Sequence, residues 1–159
     1  MKDLIEAGIG ILIAFIFYTI LGKISPSLLL IFNFFILVVL YFAMAKGEVF
    51  SACLGTICGL IQDSFSLGIF GVSGLTLTLV GYLGGFISKK INVVPLKRTF
   101  LFLFLMASFE LLLWSGLYIL IFSEMVNSGK GLLFFQPLSS AFLGSLLFPF
   151  LRKIKGVTV

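Results

Sequence analysis

Six long apolar runs follow one another along the chain, separated by short polar or glycine-containing breaks. The first covers residues 4–21 and closes at Gly22 and Lys23. Ser25 and Pro26 have the form of an N-cap followed by a first-turn proline, which predicts a second helix over 27–45. Lys46, Gly47 and Glu48 then form a tight reversal. The lysine ends one helix and the glutamate opens the next, each with the sign that suits the adjoining helix dipole. A third run spans 49–62 and stops at Asp63, and a fourth spans 71–87 after an uncharged segment, 64–70. Lys89, Lys90, Pro95, Lys97 and Arg98 mark the next connection. The fifth run is 99–122, and a polar stretch, 124–130, separates it from the sixth, 131–151. The tail is short and basic, and no repeat, linker or soluble domain interrupts the pattern.

A spanning helix needs about 20 predominantly apolar residues, so each run is close to one crossing. The expected fold is therefore an all-α integral membrane protein, a single transmembrane domain over 1–159 with six transmembrane helices. Composition agrees: 60% of the 159 residues are hydrophobic and 11% charged, whereas soluble domains run near 45–50% and about 25%. A soluble enzyme, a disulfide scaffold and a disordered chain are excluded. The first run is not a cleavable signal peptide on this reading, because Asp3 and Glu6 spoil a positive n-region.

Charge adds the orientation. Lys2, Lys46, Lys89, Lys90, Lys97, Arg98, Arg152, Lys153 and Lys155 fall on the side of the termini, nine in all, against Lys23 and Lys130 on the other. Basic residues in short loops are retained in the cytoplasm, so both termini are expected there. The net charge of +5 thus reports topology and calls for no nucleic acid.

Helices in lipid gain little by hiding apolar surface, and close association needs small residues. The third run offers Ser51, Gly55 and Gly59 on one face, and the fourth offers Gly74, Thr78, Gly81 and Gly85. These stripes predict a tight central hairpin. Gly10 with Ala14, and Ser140 with Gly144, are weaker versions in the first and sixth runs. Phenylalanine supplies 20 of the rings, expected to face lipid or fill gaps.

The candidate chemistry is sparse. There is no histidine, which removes the usual acid–base group and the commonest metal ligand. Cys53 and Cys58 lie in one apolar run and read as small buried hydrophobes. No cofactor is implied. An acidic side chain at the bilayer centre costs roughly 3 kcal/mol or more to insert, so each one needs an explanation. Glu110 lies eleven residues into the fifth run, ~16 Å deep in a ~30 Å core. No basic residue lies at matching depth. Glu110 is expected to be neutral, to bond a backbone carbonyl or Asn33, Gln62 or Gln136, or to be satisfied by a partner protein. Trp114 lies one turn further along the same face.

Asp63 ends a short run; from Glu48 it is ~22 Å of helix, less than the hydrocarbon thickness. Either Asp63 caps a surface turn through backbone amides, or Gln62, Asp63 and the segment 64–70 dip below the outer surface. Asp63 and Glu110 are not read as a catalytic pair, since no nucleophile stands beside a base. The chain is not expected to be an enzyme.

The stretch from Gly55 to Lys90 carries a fuller pattern. A glycine-rich helix ends in Gln62 and Asp63, a turn holds Gly68 and Gly71, and Gly81, Tyr82 and Gly85 follow in the next helix. This resembles the rod shape-determining protein MreD family, small basic six-span proteins of the bacterial inner (cytoplasmic) membrane. Gly59, Asp63, Gly68, Gly71, Gly81, Tyr82 and Gly85 fall on the family's pattern. The resemblance implies a non-enzymatic scaffold of the cell-elongation assembly. It implies binding to an MreC-like bitopic partner and, through it, to MreB-like filaments, a RodA-like glycan polymerase and a class B penicillin-binding protein. Gln62, Asp63 and Glu110 are the candidate partner-binding residues, while Gly55, Gly59, Gly74, Gly81 and Gly85 are the candidate packing residues.

The span pattern is also similar to the substrate-binding S components of energy-coupling-factor transporters, which would make the chain a vitamin or small-metabolite capture subunit. Such a pocket needs several convergent polar groups. The non-cytoplasmic half offers Asp63, Asn127 and a few serines. The scaffold reading is preferred.

Overall fold

The computed structural model describes residues 2–65, 70–91, 93, 95–122 and 135–155. Among them the chain is helical, with no strand: α1 (Lys2–Ile24), α2 (Pro26–Ile31), α3 (Phe34–Lys46), α4 (Glu48–Phe65), α5 (Val72–Lys90), α6 (Leu96–Phe122) and α7 (Gln136–Lys155). Three stretches are long and apolar enough to cross a membrane: Lys2–Ile24, Ser27–Lys46 (which runs over α2 and α3) and Leu96–Ile121.

The second predicted helix is broken. Phe32 and Asn33 are extended at the break, and the Asn33 side chain accepts from the Ile36 N–H at 3.3 Å, which starts α3 afresh. The Phe32 N–H closes α2 on the Leu28 carbonyl at 2.9 Å. Ser25 stands at the N-cap of α2, with Pro26 behind it, but makes no side-chain capping bond. Other boundaries shift by a turn: α4 continues to Phe65, α5 to Lys90, and α6 starts at Leu96.

α3 occupies the centre. Phe35, Ile36, Leu37, Val39, Leu40, Phe42 and Ala43 are all buried, and α1, α4, α5 and α7 pack around it. On α1 only Ala7 and Ala14 are buried. α1 is held to its neighbours by ring contacts, Phe17 on Phe34 at 5.2 Å, Tyr18 on Phe35 at 5.6 Å and Phe15 on Phe65 at 5.0 Å. α7 runs parallel to α3. Ser139 donates to the Ile31 carbonyl, a Cβ on Gly144 would meet Leu37, and Phe148 lies 5.4 Å from Tyr41.

Two ion pairs stand at one end of the bundle. Lys46 meets Asp3 at 2.5 Å, tying the end of α3 to the start of α1. Lys89 meets Glu48 at 2.5 Å, tying the end of α5 to the start of α4. The Lys89 ammonium holds the Glu48 carboxyl below its usual range. Gly47, at φ 90°, makes the reversal between α3 and α4 that brings these groups together.

Candidate functional site

The most closely packed part of the molecule is the antiparallel pair α4 and α5. The two small-residue stripes meet along it, and the residue pairing is regular. A Cβ built on Gly55 would lie 2.2 Å from the Leu77 carbonyl oxygen. One on Gly59 would lie 2.4 Å from the Gly74 Cα, one on Gly81 2.4 Å from the Ser51 oxygen, and one on Gly85 2.4 Å from the Glu48 Cα. At these four positions backbone touches backbone. Gly74 differs, because its Cβ would meet only the Leu60 side chain, at 3.2 Å.

Hydroxyls bridge the same seam. Ser51 donates to the Gly81 carbonyl at 2.7 Å, and the Thr56 and Thr78 hydroxyls pair at 2.8 Å. On the next face, Ser88 donates to the Ala43 carbonyl of α3 at 3.0 Å. Sequence reasoning counted Ser51 and Thr78 as small residues and passed over these bonds. It also missed Gly84, where a Cβ would crowd Leu40 at 3.1 Å. Neither Thr56 nor Gly84 lies on the stripes, and only the structure shows that α3 supplies a second close neighbour.

Asp63 closes the seam at the end away from the ion pairs. It is 4% exposed, and its carboxylate accepts from the Gly71 N–H at 2.8 Å and from the Ser73 and Gly74 N–H groups at 3.2 Å each. These are the amides that a helix start leaves unpaired, and a negative charge there suits the dipole of α5. Gly71 occupies the N-cap in the left-handed region, φ 102°. Asp63 therefore takes up the backbone of its own chain, the capping alternative of the two that the sequence left open. Gln62 beside it has a buried Oε1 with no hydrogen bond among the described residues. Gly68, and with it most of the segment 64–70, lies outside the described residues.

Glu110 is elsewhere, on α6, and 3% exposed. It shares a face with Leu103, Met106 and Ala107, all buried. Among the described residues no hydrogen bond joins it to Asn33, Gln62 or Gln136. Trp114, one turn on, stacks on Tyr118 at 5.4 Å. Asp63 and Glu110 are thus in separate surroundings, one at the start of α5 and the other on the buried face of α6.

Tyr82 faces outward from α5 with Leu75, Leu79 and Phe86, all between 41% and 52% exposed. At the end of this stripe the Lys90 ammonium sits 4.4 Å above the Phe86 ring.

A family model described as rod shape-determining protein MreD matches residues 4–155. The chain belongs to the MreD family. No curated protein and no solved structure gives a match. Membership makes this a membrane protein with a role in rod-shape determination. It also gives the motif a physical content. Gly59, Gly81 and Gly85 are positions where a methyl group would strike opposing backbone, and Asp63 and Gly71 form the cap of the second helix. Only Tyr82 of the described motif residues points away from the hairpin. In this MreD chain the described glycines and Asp63 of the motif build the α4–α5 hairpin and its cap.

Proposed function

We propose that this chain is a six-span, non-enzymatic scaffold of the bacterial cell-elongation assembly, set in the inner membrane with both termini in the cytoplasm. It binds an MreC-like bitopic protein in the membrane. Through that partner it supports MreB-like filaments, a RodA-like glycan polymerase and a class B penicillin-binding protein. The observation that carries this reading is the MreD family match over residues 4–155, and it favours the scaffold over small-molecule capture.

The geometry supports the topology. The two ion pairs and the parallel course of α3 and α7 draw the basic residues of four segments to one end. That is the distribution the cytoplasmic rule requires. The glycine stripes face each other inside the hairpin and Glu110 is 3% exposed, which supports a docking surface elsewhere on the bundle. What remains is lateral surface, such as the outward side of α1, where nothing stands within 4 Å of a Cβ on Gly8.

The test is co-purification. The detergent-solubilised chain, tagged at its C-terminus, is expected to retain the MreC homologue encoded in the same cell. Gly8→Leu on the open face should weaken that retention and leave folding intact. Absence of any complex under mild extraction would refute the reading.

A further inference from the structure

Buried polar groups in a membrane protein are costly unless satisfied, and one layer of this bundle holds four of them. Asn33, Glu110, Gln136 and Ser140 are between 2% and 7% exposed. They come from the α2–α3 break, α6 and α7. The register that brings them together is set at Gly144, whose Cβ would meet Leu103 of α6 at 2.5 Å and Leu37 of α3 at 3.0 Å. Asn33 stands four residues before Leu37, Ser140 four before Gly144, and Glu110 seven beyond Leu103 on the antiparallel α6. At ~1.5 Å per residue the first two lie ~6 Å along the bundle and Glu110 ~10 Å. A helical side chain leans toward its own N-terminus. Glu110 on α6 therefore leans back toward the level of Asn33 and Ser140. Ser140, on the antiparallel α7, leans up toward Glu110. The anchor on the third side is firm, since Ser139 donates to the Ile31 carbonyl freed by the helix break.

By this register the groups face a common level, and no hydrogen bond joins them among the described residues. Asn33 Nδ2 and Ser140 Oγ are buried and have no hydrogen-bond partner among the described residues. The amide orientation is set, because Asn33 Oδ1 accepts from the Ile36 N–H. Glu110 likewise has no hydrogen bond among the described residues. A guest that satisfies this set must accept from an amide and donate to a carboxyl. A metal cation fails the first requirement. Water meets both, and buried water in proteins typically makes about three bonds to such groups.

We propose that Asn33, Glu110 and Ser140, with Gln136 beside them, line an internal water site that bridges α6 and α7 to the α2–α3 break. The site ties two outer helices to the central one by polar bonds where hiding apolar surface from water supplies no force between helices.

The test uses the full chain in detergent, with nitrogen-15 in its three asparagines and the Asn33 signals assigned by Asn33→Ser, which keeps a capping oxygen. A long-lived internal water gives a cross-peak between the Asn33 side-chain amide protons and the water frequency. Its absence would overturn the proposal. The infrared carboxyl band of Glu110, isolated by subtracting the spectrum of Glu110→Gln, should shift in Ser140→Ala and stay in place in Gly8→Ala. A band indifferent to Ser140→Ala would overturn it. So would a band that moves when sodium replaces potassium, which would assign the site to a metal cation.

Discussion

Placing a single methyl group in the α4–α5 seam gives the sharpest test of how this protein is held together. In Gly55→Ala the new Cβ would stand 2.2 Å from the Leu77 oxygen, whereas ordinary contact begins near 3.4 Å. The obstacle is backbone on a helix, so no rotamer change relieves it, and α5 must withdraw from α4 by about 1 Å. A gap of that size forfeits roughly a quarter to a half of each pairwise dispersion contact along the seam. It also stretches the Ser51–Gly81 and Thr56–Thr78 hydrogen bonds. Overpacking typically costs about 1–3 kcal/mol, and the gain in helix propensity from glycine to alanine offsets about 1 kcal/mol. A backbone clash belongs at the upper end, which leaves a net loss of about 2 kcal/mol. The measurement is reversible unfolding in mixed detergent, followed by helicity. Gly8→Ala and Gly116→Ala are the controls, because a Cβ there meets nothing within 4 Å; they should be neutral or mildly stabilising. Gly55→Ala and Gly81→Ala demand the same separation, so the double variant should lose less than the two singles together. Seam variants with the midpoint of the controls would refute the close approach, and strict additivity would refute withdrawal as a rigid body.

Asp63→Ala removes the acceptor of three α5 amides and should cost about 1–2 kcal/mol; Asp63→Asn, with one carbonyl oxygen left, should fall between. Faster amide exchange confined to the first turn of α5 is the signature to look for. Gly71→Ala meets no atom within 4 Å, so its loss is conformational only, about 1–2 kcal/mol for a left-handed residue, and Gly71→Asn should recover part of it in the same unfolding assay. The Glu48–Lys89 pair sets a pH dependence. The Glu48 carboxyl is lowered from 4.5 by Lys89, so its contribution is complete above that value and disappears as pH falls through the lower folded value. Lys89→Ala should lower the thermal midpoint slightly at neutral pH, leave it unchanged in acid, and so flatten the acid limb; an unaltered acid limb would refute the assignment.

The hairpin was legible in the sequence because its signal is periodic. Glycines and serine four residues apart can serve close approach only on a helix, and the matching stripe on the next run named its partner. The break between α2 and α3 was not legible. Residues 27–45 read as one apolar run, and the single asparagine within it entered only as a candidate partner for Glu110. What makes Asn33 a break is tertiary: Ser139, more than a hundred residues away, accepts the role of donor to the carbonyl that the break exposes. The same distance effect hid the surroundings of Glu110. Depth along α6 followed from counting residues, but the level of Asn33 and Ser140 against it depends on the register fixed at Gly144. Asp63 lay between these cases. Its residue type and position at a helix end allowed a cap, and whether it makes one depended on where the α5 amides point.

Stiffness in this molecule is therefore unevenly distributed, and the distribution bears on how a scaffold can work in lipid. Apolar surfaces there do not drive helices together, so rigidity has to come from backbone contact and polar bonds. α4 and α5 have both, with a glycine seam along their length, the Asp63 cap at one end and the Glu48–Lys89 pair at the other. α3 is locked to them through Gly84 and Ser88. α1 is held by ring contacts and the Lys46–Asp3 ion pair, and among its described residues only Ala7 and Ala14 are buried. A partner helix that docks on α1 meets the part of the bundle with the least to lose by adjusting. The three central helices keep their shape behind it. On the proposed scaffold role, that order would let the outward surface of α1 adjust to a partner while the glycine-built core fixes where that surface stands.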